Sequence, residues 1–393
     1  MRRAPNPPSA IPAPSADQEV SWTGKITLLT PLYKGGANPE KADKNMPFRG
    51  PSIRGQLRFW WRATSELTDV EQLRAAEREL FGGVFGEKGD NNQKRAVASK
   101  VRVGVLAQRS ETIAKAMAKD GKEELEYLLW TCRNPLDQTF HKAGATGQLY
   151  ISGPCSPEGR KKELQKALVA FLLCGGLGSR SRRGLGSVWL ESEDLPVPKA
   201  GFQSEKQLLD TFRALVPAGG KRAWPTLAGA RLLVGRPASD PGTALARMAA
   251  AMQAVRTYKN KGRPAVFQQT WLSVMRGQGA DLGYTAALGL PIQYQTSSNH
   301  FPGKRMLIVQ VGQGRPKADR YPSPILFRTI KMEGDKFLPV MVVLQTPTPK
   351  QVALGGQALA PNTVGNFQSK GLEAFIQALP EADWKIHTLG ATP

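Results

Sequence analysis

The sequence has 393 residues, of which 40% are apolar, and it carries 54 lysines and arginines against 32 aspartates and glutamates. The apolar content excludes a disordered chain, and the longest apolar runs, 167–174 and 339–344, are too short to span a membrane. The net charge of +22 exceeds what solubility requires. A phosphate-backbone partner accounts for it, because each neutralised phosphate releases condensed counterions.

The N-terminal 1–19 segment is rich in proline, alanine and serine, and we expect a disordered tail. Arg2 and Arg3 are followed by no hydrophobic segment, so the pattern does not predict a secretory signal. Residues 20–29 alternate well enough to predict a first strand, and a long loop follows over 33–47.

A helix is predicted from Ser52, which lies at an N-cap position directly after Pro51. Its apolar residues recur at helical spacing and predict one buried face: Ile53, Leu57, Trp60 and Trp61. Its arginines recur every four residues and predict an adjacent basic stripe: Arg54, Arg58 and Arg62. Because no acidic residue lies between Arg49 and Glu66, we expect this stripe to lack a salt-bridge partner nearby, and we add Arg49 to it as a candidate RNA-binding residue.

The next elements predicted are a glycine-rich turn over 80–86, a polar loop to residue 99 and an alternating strand over 100–106. A second helix over 161–174 ends at Gly175, as helices commonly end at glycine. A strand over 186–190 completes the order β, α, β, α, glycine-rich loop, β. This order predicts a ferredoxin-like or RRM-like α+β domain over 20–197.

A proline-containing stretch at 195–198 predicts a domain boundary. Beyond it, strands are predicted at 230–234, 307–311, 325–330 and 337–344, and helices at 242–258 and 371–379. We therefore expect a second ferredoxin-like domain over 198–393, and thus an α+β fold of two tandem ferredoxin-like (RRM-like) domains with long loops. The duplication is inferred from architecture, since no repeat is visible in the sequence.

The segment 175–187 holds five glycines and three arginines within thirteen residues. Glycine allows a backbone to approach a phosphate or a base closely, and arginine provides bidentate donors and stacking planes. No Gly-Lys-Ser/Thr follows, so the segment is not a Walker A loop. The candidate RNA-binding residues here are Gly176, Gly178, Ser179, Arg180, Arg182, Arg183 and Gly184. The alternative is a mobile surface loop with solvated charges.

A third basic region combines Lys304 and Arg305 with aromatic residues at 294 and 300–301, a mixture that suits single-stranded nucleic acid. These rings could equally belong to the core. The basic stretch 258–263 is either a solvated helix end or an RNA contact.

Cys132, Cys155 and Cys174 form no CxxC pair, and this odd number predicts a reduced, intracellular protein without structural zinc. The three histidines (His141, His300 and His387) form no metal-binding or catalytic motif. We therefore expect no metal, no cofactor and little histidine chemistry.

Several of these motifs together resemble the RAMP superfamily of CRISPR systems, and within it the type III-B (Cmr) branch. The similar segments are 29–36, Arg49-x-Pro-Ser-Ile-Arg-Gly-x-Leu-Arg-Phe-Trp-Trp-Arg62, 80–82, 175–188, 282–291 and 320–328. They span about residues 22–345, and the tail and the last fifty residues lie outside the resemblance.

The resemblance implies tandem ferredoxin-like domains in a cytoplasmic, multi-subunit, RNA-guided complex of antiviral defence. It implies that the chain holds the 3′ part of the guide RNA and captured target RNA beside other RAMP subunits, without a membrane and without being the nuclease. In a related subunit a loop aspartate supports metal-dependent cleavage, and Asp43 occupies the equivalent loop. Its neighbours Lys41 and Lys44 would weaken a Mg²⁺ site.

Two alternatives remain open at this stage. The first is a metal-dependent endoribonuclease that acts on target RNA through Asp43, or on guide precursor through His141 or His300. The second is a purely structural scaffold whose arginines bind the acidic faces of neighbouring subunits.

Overall fold

The computed structural model describes residues 19–34, 36, 43, 46–85, 95–114, 128, 139–154, 159–256, 288–289, 292–296, 303–310, 321–347, 351–354, 357–358 and 367–390. The tail 1–18, residues 258–263, 282–287 and 300–302, Cys132 and Cys155 therefore lie outside the described residues. Within those ranges no helix is long and apolar enough to cross a membrane.

The elements of residues 20–197, called the first half below, are given in chain order: β1 Glu19–Leu28, β2 Leu32–Tyr33, α1 Gly50–Ala63, α2 Val70–Phe81, β3 Gly83–Phe85, β4 Arg95–Val97, β5 Arg102–Arg109, β6 Thr112–Ala114, β7 Thr139–His141, β8 Thr146–Pro154, α3 Gly159–Cys174 and β9 Val188–Glu191. Four strands form one antiparallel sheet in the order β5-β8-β1-β9. With α1 and α3 this is the βαββαβ arrangement of a ferredoxin-like fold.

The elements of residues 198–393, called the second half, follow in chain order: α4 Glu205–Leu215, β10 Thr226–Gly235, α5 Pro241–Arg256, β11 Ile292–Thr296, β12 Gly303–Gln310, β13 Ile325–Met332, β14 Lys336–Gln345, β15 Gln351–Leu354, β16 Gln357–Ala358, α6 Phe367–Gln377 and β17 Trp384–Thr388. Its main sheet has the order β13-β14-β10-β17, which repeats the βαββαβ arrangement with α5 and α6. A separate sheet joins β11, β12, β15 and β16.

The α+β fold class is confirmed, whereas the division at residue 197 stays a prediction because one hydrophobic cluster runs through both halves. That cluster joins Trp22, Trp60 and Phe171 to Phe212 and Val342, all at most 2% exposed. Each such large side chain stabilises the fold by roughly 1.5–3 kcal/mol when buried. The two halves therefore share a core.

The predicted apolar face of α1 is confirmed, since all four of its residues are at most 2% exposed. Its start differs from the prediction: Arg49 is the N-cap, Ser52 lies inside the first turn, and Pro51 occupies the position where a missing N–H costs nothing. The predicted turn at 80–86 is largely wrong, because Leu80 and Phe81 end helix α2, and Gly82 is its C-cap.

Candidate nucleic-acid interface

The segment 175–187, called the Arg/Gly loop below, is bound along one side to the end of β1 and to β2. The backbone N–H of Leu29 donates to Ser187 O at 2.8 Å, and Ser179 N–H donates to Tyr33 O at 2.8 Å. The hydroxyl of Thr30, fully buried, donates to Gly184 O at 2.6 Å and accepts from Ser187 N–H. The alternative of a mobile surface loop is therefore wrong.

The other side of the Arg/Gly loop is bound to the second half. Phe327 N–H donates to Arg182 O at 3.1 Å, and the guanidinium of Arg182 donates to Ser323 O at 2.7 Å. The guanidinium of Arg328 donates to Ser181 O at 2.5 Å. The loop thus lies between the two halves and connects them.

Two of the loop glycines are explained by this packing. Gly184 has φ +86°, and a Cβ there would lie 2.5 Å from the Leu245 side chain of α5. Gly178 has φ +73°, and a Cβ there would lie 2.7 Å from Tyr33 O. Both positions exclude larger residues because of neighbouring protein atoms and backbone strain, before any ligand is considered.

The three loop arginines have different surroundings. Arg182 lies 5.6 Å from the centre of the Phe59 ring, and burial lowers the pKa of its guanidinium. The backbone of Arg183 forms a bridge with Phe327. Arg180 adopts a positive φ of 62°, is partly exposed, and has no hydrogen bond or ion pair from its side chain to a described residue. Arg180 is therefore the loop arginine most available to a ligand.

The basic stripe of α1 is only partly free. Arg62 pairs with Glu77 at 2.5 Å, and Arg58 pairs with the same carboxylate. The expectation that the stripe lacks an acidic partner is thus wrong for these two residues, because the partner comes from helix α2, which the sequence pattern did not reveal. Arg54 is exposed and makes no ion pair with a described residue.

An open groove of about 450 Å³ lies where α1 begins and meets the Arg/Gly loop. Its lining is mostly backbone and small side chains, from Gly36, Arg49, Pro51, Ser52, Gly55, Gln56, Gly176, Leu177, Gly178 and Ser179. The N-cap residue Arg49 makes no side-chain hydrogen bond to the N-terminus of α1, and the first turn of the helix holds no acidic residue. The free N–H groups and the helix dipole therefore give this groove a positive potential.

Arg49 connects the groove to the loop that carries Asp43. Its guanidinium donates to Gly36 O at 2.7 Å, and its Nε lies 3.3 Å from a carboxylate oxygen of Asp43. His141 is 1% exposed, its Nδ1 lies 2.7 Å from Ser110 Oγ, and burial lowers its pKa although Asp43 lies nearby. Among the described residues no three potential metal ligands cluster.

The remaining predicted site residues lie elsewhere. Lys304 and Arg305 are on β12, in register with Gln295 and Tyr294 of β11. These strands belong to the separate sheet of the second half, and the structure describes only their backbone. It therefore joins Arg49, Arg54 and the Arg/Gly loop in one region and leaves the role of Lys304 and Arg305 a prediction.

Sequence reasoning missed the uncapped start of α1 and the counter-charge on Glu77. The amphipathic spacing of residues 70–81, directly after the N-cap candidate Asp69, would have predicted α2 from the sequence. In the structure the carboxylate of Asp69 does accept from Gln72 N–H at 2.8 Å. The contact between Glu77 and α1 depends on how the two helices pack, which local spacing does not give.

Comparison with known proteins first defines the class. The RAMP superfamily model matches residues 25–189, which contain most of the first sheet, helices α1 to α3, the Arg/Gly loop and every residue that lines the groove. This match agrees with the resemblance that the motifs of this part of the chain indicated.

More particular relatives are subunits of Cmr complexes. The chain is 25% identical over 174 residues to the "CRISPR system Cmr subunit Cmr1-1" of Pyrococcus furiosus, a match that spans 42% of this chain and 47% of that protein. The crystal structure of apo Cmr1 from Pyrococcus furiosus aligns with a TM-score of 0.56 at 17% identity, covering 94% of this chain and 98% of that one.

A chain of the type III-B Cmr-beta complex bound to cognate target RNA aligns with a TM-score of 0.53 at 12% identity, over 92% of this chain and 99% of that one. At such low identities these structures show the shared fold. Together with the family match and the sequence relative, they confirm the predicted resemblance to RAMP subunits of the type III-B kind.

Proposed function

We propose that this chain is a non-catalytic RNA-binding subunit of a type III-B CRISPR effector complex. It holds the 3′ part of the guide RNA and captured target RNA, next to other RAMP subunits, in cytoplasmic antiviral defence. The position within the complex rests on the resemblance to the Cmr branch, and a similar chain comes from a complex bound to target RNA.

The observation that carries the proposal is the groove between α1 and the Arg/Gly loop. Its walls are glycine backbone and a helix N-terminus without a cap, an arrangement that suits phosphate oxygens. Arg54 on α1 and Arg180 in the loop supply cations without a protein partner among the described residues. Such a site contacts backbone and requires no particular base sequence.

The endoribonuclease alternative is less favoured by the geometry. Mg²⁺ prefers several oxygen ligands without adjacent cations, whereas Asp43 is paired with Arg49. His141 is buried and cannot reach a substrate without a change in the fold.

The test titrates purified protein onto end-labelled single-stranded RNA of about 20 nucleotides, at two salt concentrations, with Mg²⁺ or with EDTA. We expect binding with intact RNA, and a slope of log K against log salt of about −3.5 if five phosphates are neutralised. Undetectable affinity at low salt would favour the scaffold alternative. Cleavage that requires Mg²⁺ and is lost in Asp43→Ala would favour the nuclease.

A charge-matched pair of double variants locates the binding surface. Arg54→Gln with Arg180→Gln removes two cations near the groove, and we expect the slope to become shallower by about 1.4. Arg74→Gln with Arg213→Gln removes two exposed arginines that pair with Glu71 and Asp210 on α2 and α4. Equal effects of the two double variants would contradict the assignment of the groove.

A further inference from the structure

Two guanidinium groups lie at the junction between the halves, that of Arg328 buried and that of Arg182 partly exposed. Arg328 of β13 is 2% exposed and donates from one nitrogen to Ser181 O and to Phe327 O, both at 2.5 Å. Its Nε is buried without a hydrogen-bond partner. Arg182 is close enough to Arg328 for the two like charges to repel.

No acidic group among the described residues compensates these two charges. The titratable neighbours are Cys174 for Arg328 and Tyr321 for Arg182. Burial raises the pKa of the Cys174 thiol to about 12, so the thiol is neutral at pH 7. Burial lowers the pKa of Arg328 to about 9, so its guanidinium is still charged at that pH. Buried charges are normally paired, because desolvation without a partner is costly.

Arg328 lies directly behind one wall of the groove. A Cβ on Gly176 would lie 3.3 Å from a terminal nitrogen of Arg328, and Gly176 also lines the groove. Gly176 thus lies between the buried guanidinium and the groove. The charge of Arg328 acts strongly on an anion in the groove, because protein and not water lies between the two charges.

We propose that Arg328, together with Arg182, is a buried counter-charge for an RNA phosphate that binds in the groove against Gly176. The inference rests on the proposed function and deepens it, since it assigns to the second half a role in binding at a site built by the first. Because coupling is reciprocal, RNA stabilises the docking of the second half onto the Arg/Gly loop, and this docking strengthens RNA binding.

The test compares Arg328→Gln, which keeps a donor but loses the charge, with Arg328→Lys, which keeps the charge. Affinity for single-stranded RNA and the RNA-induced rise in the unfolding midpoint are measured for each. We expect about tenfold weaker binding for Arg328→Gln, with most of the rise lost, and binding within about threefold of wild type for Arg328→Lys. Without RNA, Arg328→Gln should unfold at or above the wild-type temperature, because it removes an unpaired buried charge.

A merely structural role predicts the opposite: Arg328→Gln would be less stable without RNA and would keep the wild-type rise with RNA, and this result would overturn the inference. If wild type itself does not bind RNA, the proposed function fails instead. The salt slope gives a second readout, because a cation that neutralises a phosphate adds to counterion release: Arg328→Gln should make the slope shallower by about 0.7, as Arg180→Gln does, whereas Arg328→Lys should leave it unchanged. If Arg328→Gln does not fold, Arg182→Gln replaces it with the same expected loss of affinity, and wild-type affinity in that variant would contradict the proposal.

Discussion

The two halves have the same βαββαβ order, yet the loop before the last strand differs sharply between them. In the first half it is the Arg/Gly loop, thirteen residues over 175–187 with three arginines. In the second half it is six residues over 378–383, with exposed acidic side chains at Glu381 and Asp383. Asp383 pairs there with Arg236 at 3.2 Å.

The first helix of each βαββαβ unit differs in the same direction. Helix α1 begins without a side-chain cap and opens onto the groove. Helix α5 begins after Asp240, whose carboxylate accepts from Thr243 N–H at 2.8 Å. In the first half the helix N-terminus and Arg180 of the loop are therefore available to an anion. In the second half a carboxylate of the chain itself caps the helix, and the loop carries acidic residues. One topology carries two different surfaces, because function on such folds resides in loops and helix ends.

The largest effect is expected for the packing of the Arg/Gly loop between the halves. Gly184→Ala should lower the free energy of unfolding by about 3 kcal/mol, since it adds both backbone strain and a clash with Leu245. Gly334→Ala has a similar positive φ of 71° in the turn between β13 and β14 but meets no atom within 4 Å. It should cost about 1 kcal/mol, from backbone strain alone.

Denaturant unfolding measures both variants. Equal losses of unfolding free energy in the two variants would mean that packing of the second half against the Arg/Gly loop does not stabilise the fold. The loops of the two halves would then differ in charge alone.

The next prediction distinguishes the effect of charge beside the groove on RNA affinity from the effect of the net charge of the protein. Arg180→Glu should weaken RNA binding by about tenfold or more, because it reverses the charge beside the groove. Glu381→Arg reverses a charge in the equivalent loop of the second half and should change the affinity by less than about twofold. Shifts of equal size and opposite sign would show that RNA responds to net charge and not to this site. Both affinities are measured by RNA titration at one salt concentration.

Local pattern predicted much of the fold but not its central strand. The burial of Ile53, Trp60 and Trp61 follows from helical spacing, and the end of α3 at Gly175 follows from helix termination. Strand β8 was missed because it lies in the middle of the sheet with nearly every residue buried, so its sequence does not alternate. Without β8, only three of the four strands of the first sheet are visible.

The sequence predicted which residue types form the site but not which tertiary partners they contact. The Arg/Gly loop and the stripe of α1 stand out in the sequence as dense arginine and glycine. The groups that hold the loop from the second half, Ser323 for the guanidinium of Arg182 and Arg328 for the carbonyl oxygen of Ser181, lie about 140 residues away, and no local periodicity points to them. Which arginines remain available therefore depends on tertiary packing.

A smaller effect is expected from the counter-charge of the α1 stripe. Glu77→Gln removes the shared partner of Arg58 and Arg62, whose side chains are 41% and 33% exposed. Two cations on the same helix as Arg54 then become available, and RNA binding should tighten by about threefold with a steeper salt slope. The unfolding free energy should fall by about 1 kcal/mol, because the arginines remain partly hydrated. Unchanged affinity would place RNA away from this face of α1.

The smallest effect contrasts one histidine from each half. His141 is buried in the first half and its pKa is lowered, so the folded state disfavours its protonation while the unfolded chain protonates near pH 6.5. Its contribution to stability is therefore complete above about pH 6.5 and is lost as the pH falls through the folded pKa. His141→Gln should flatten the fall in stability between pH 7 and pH 5, as measured by urea unfolding.

His387→Gln is the matched variant in the second half, where the imidazole of His387 lies 3.0 Å from Glu205 at the start of α4. Burial is the cause of the shift at His141, so this second variant should retain the fall in stability below pH 6.5. If His387→Gln instead removes that fall, the acid sensitivity resides in the second half. The buried histidine beside Asp43 would then have no part in the pH dependence of the first half.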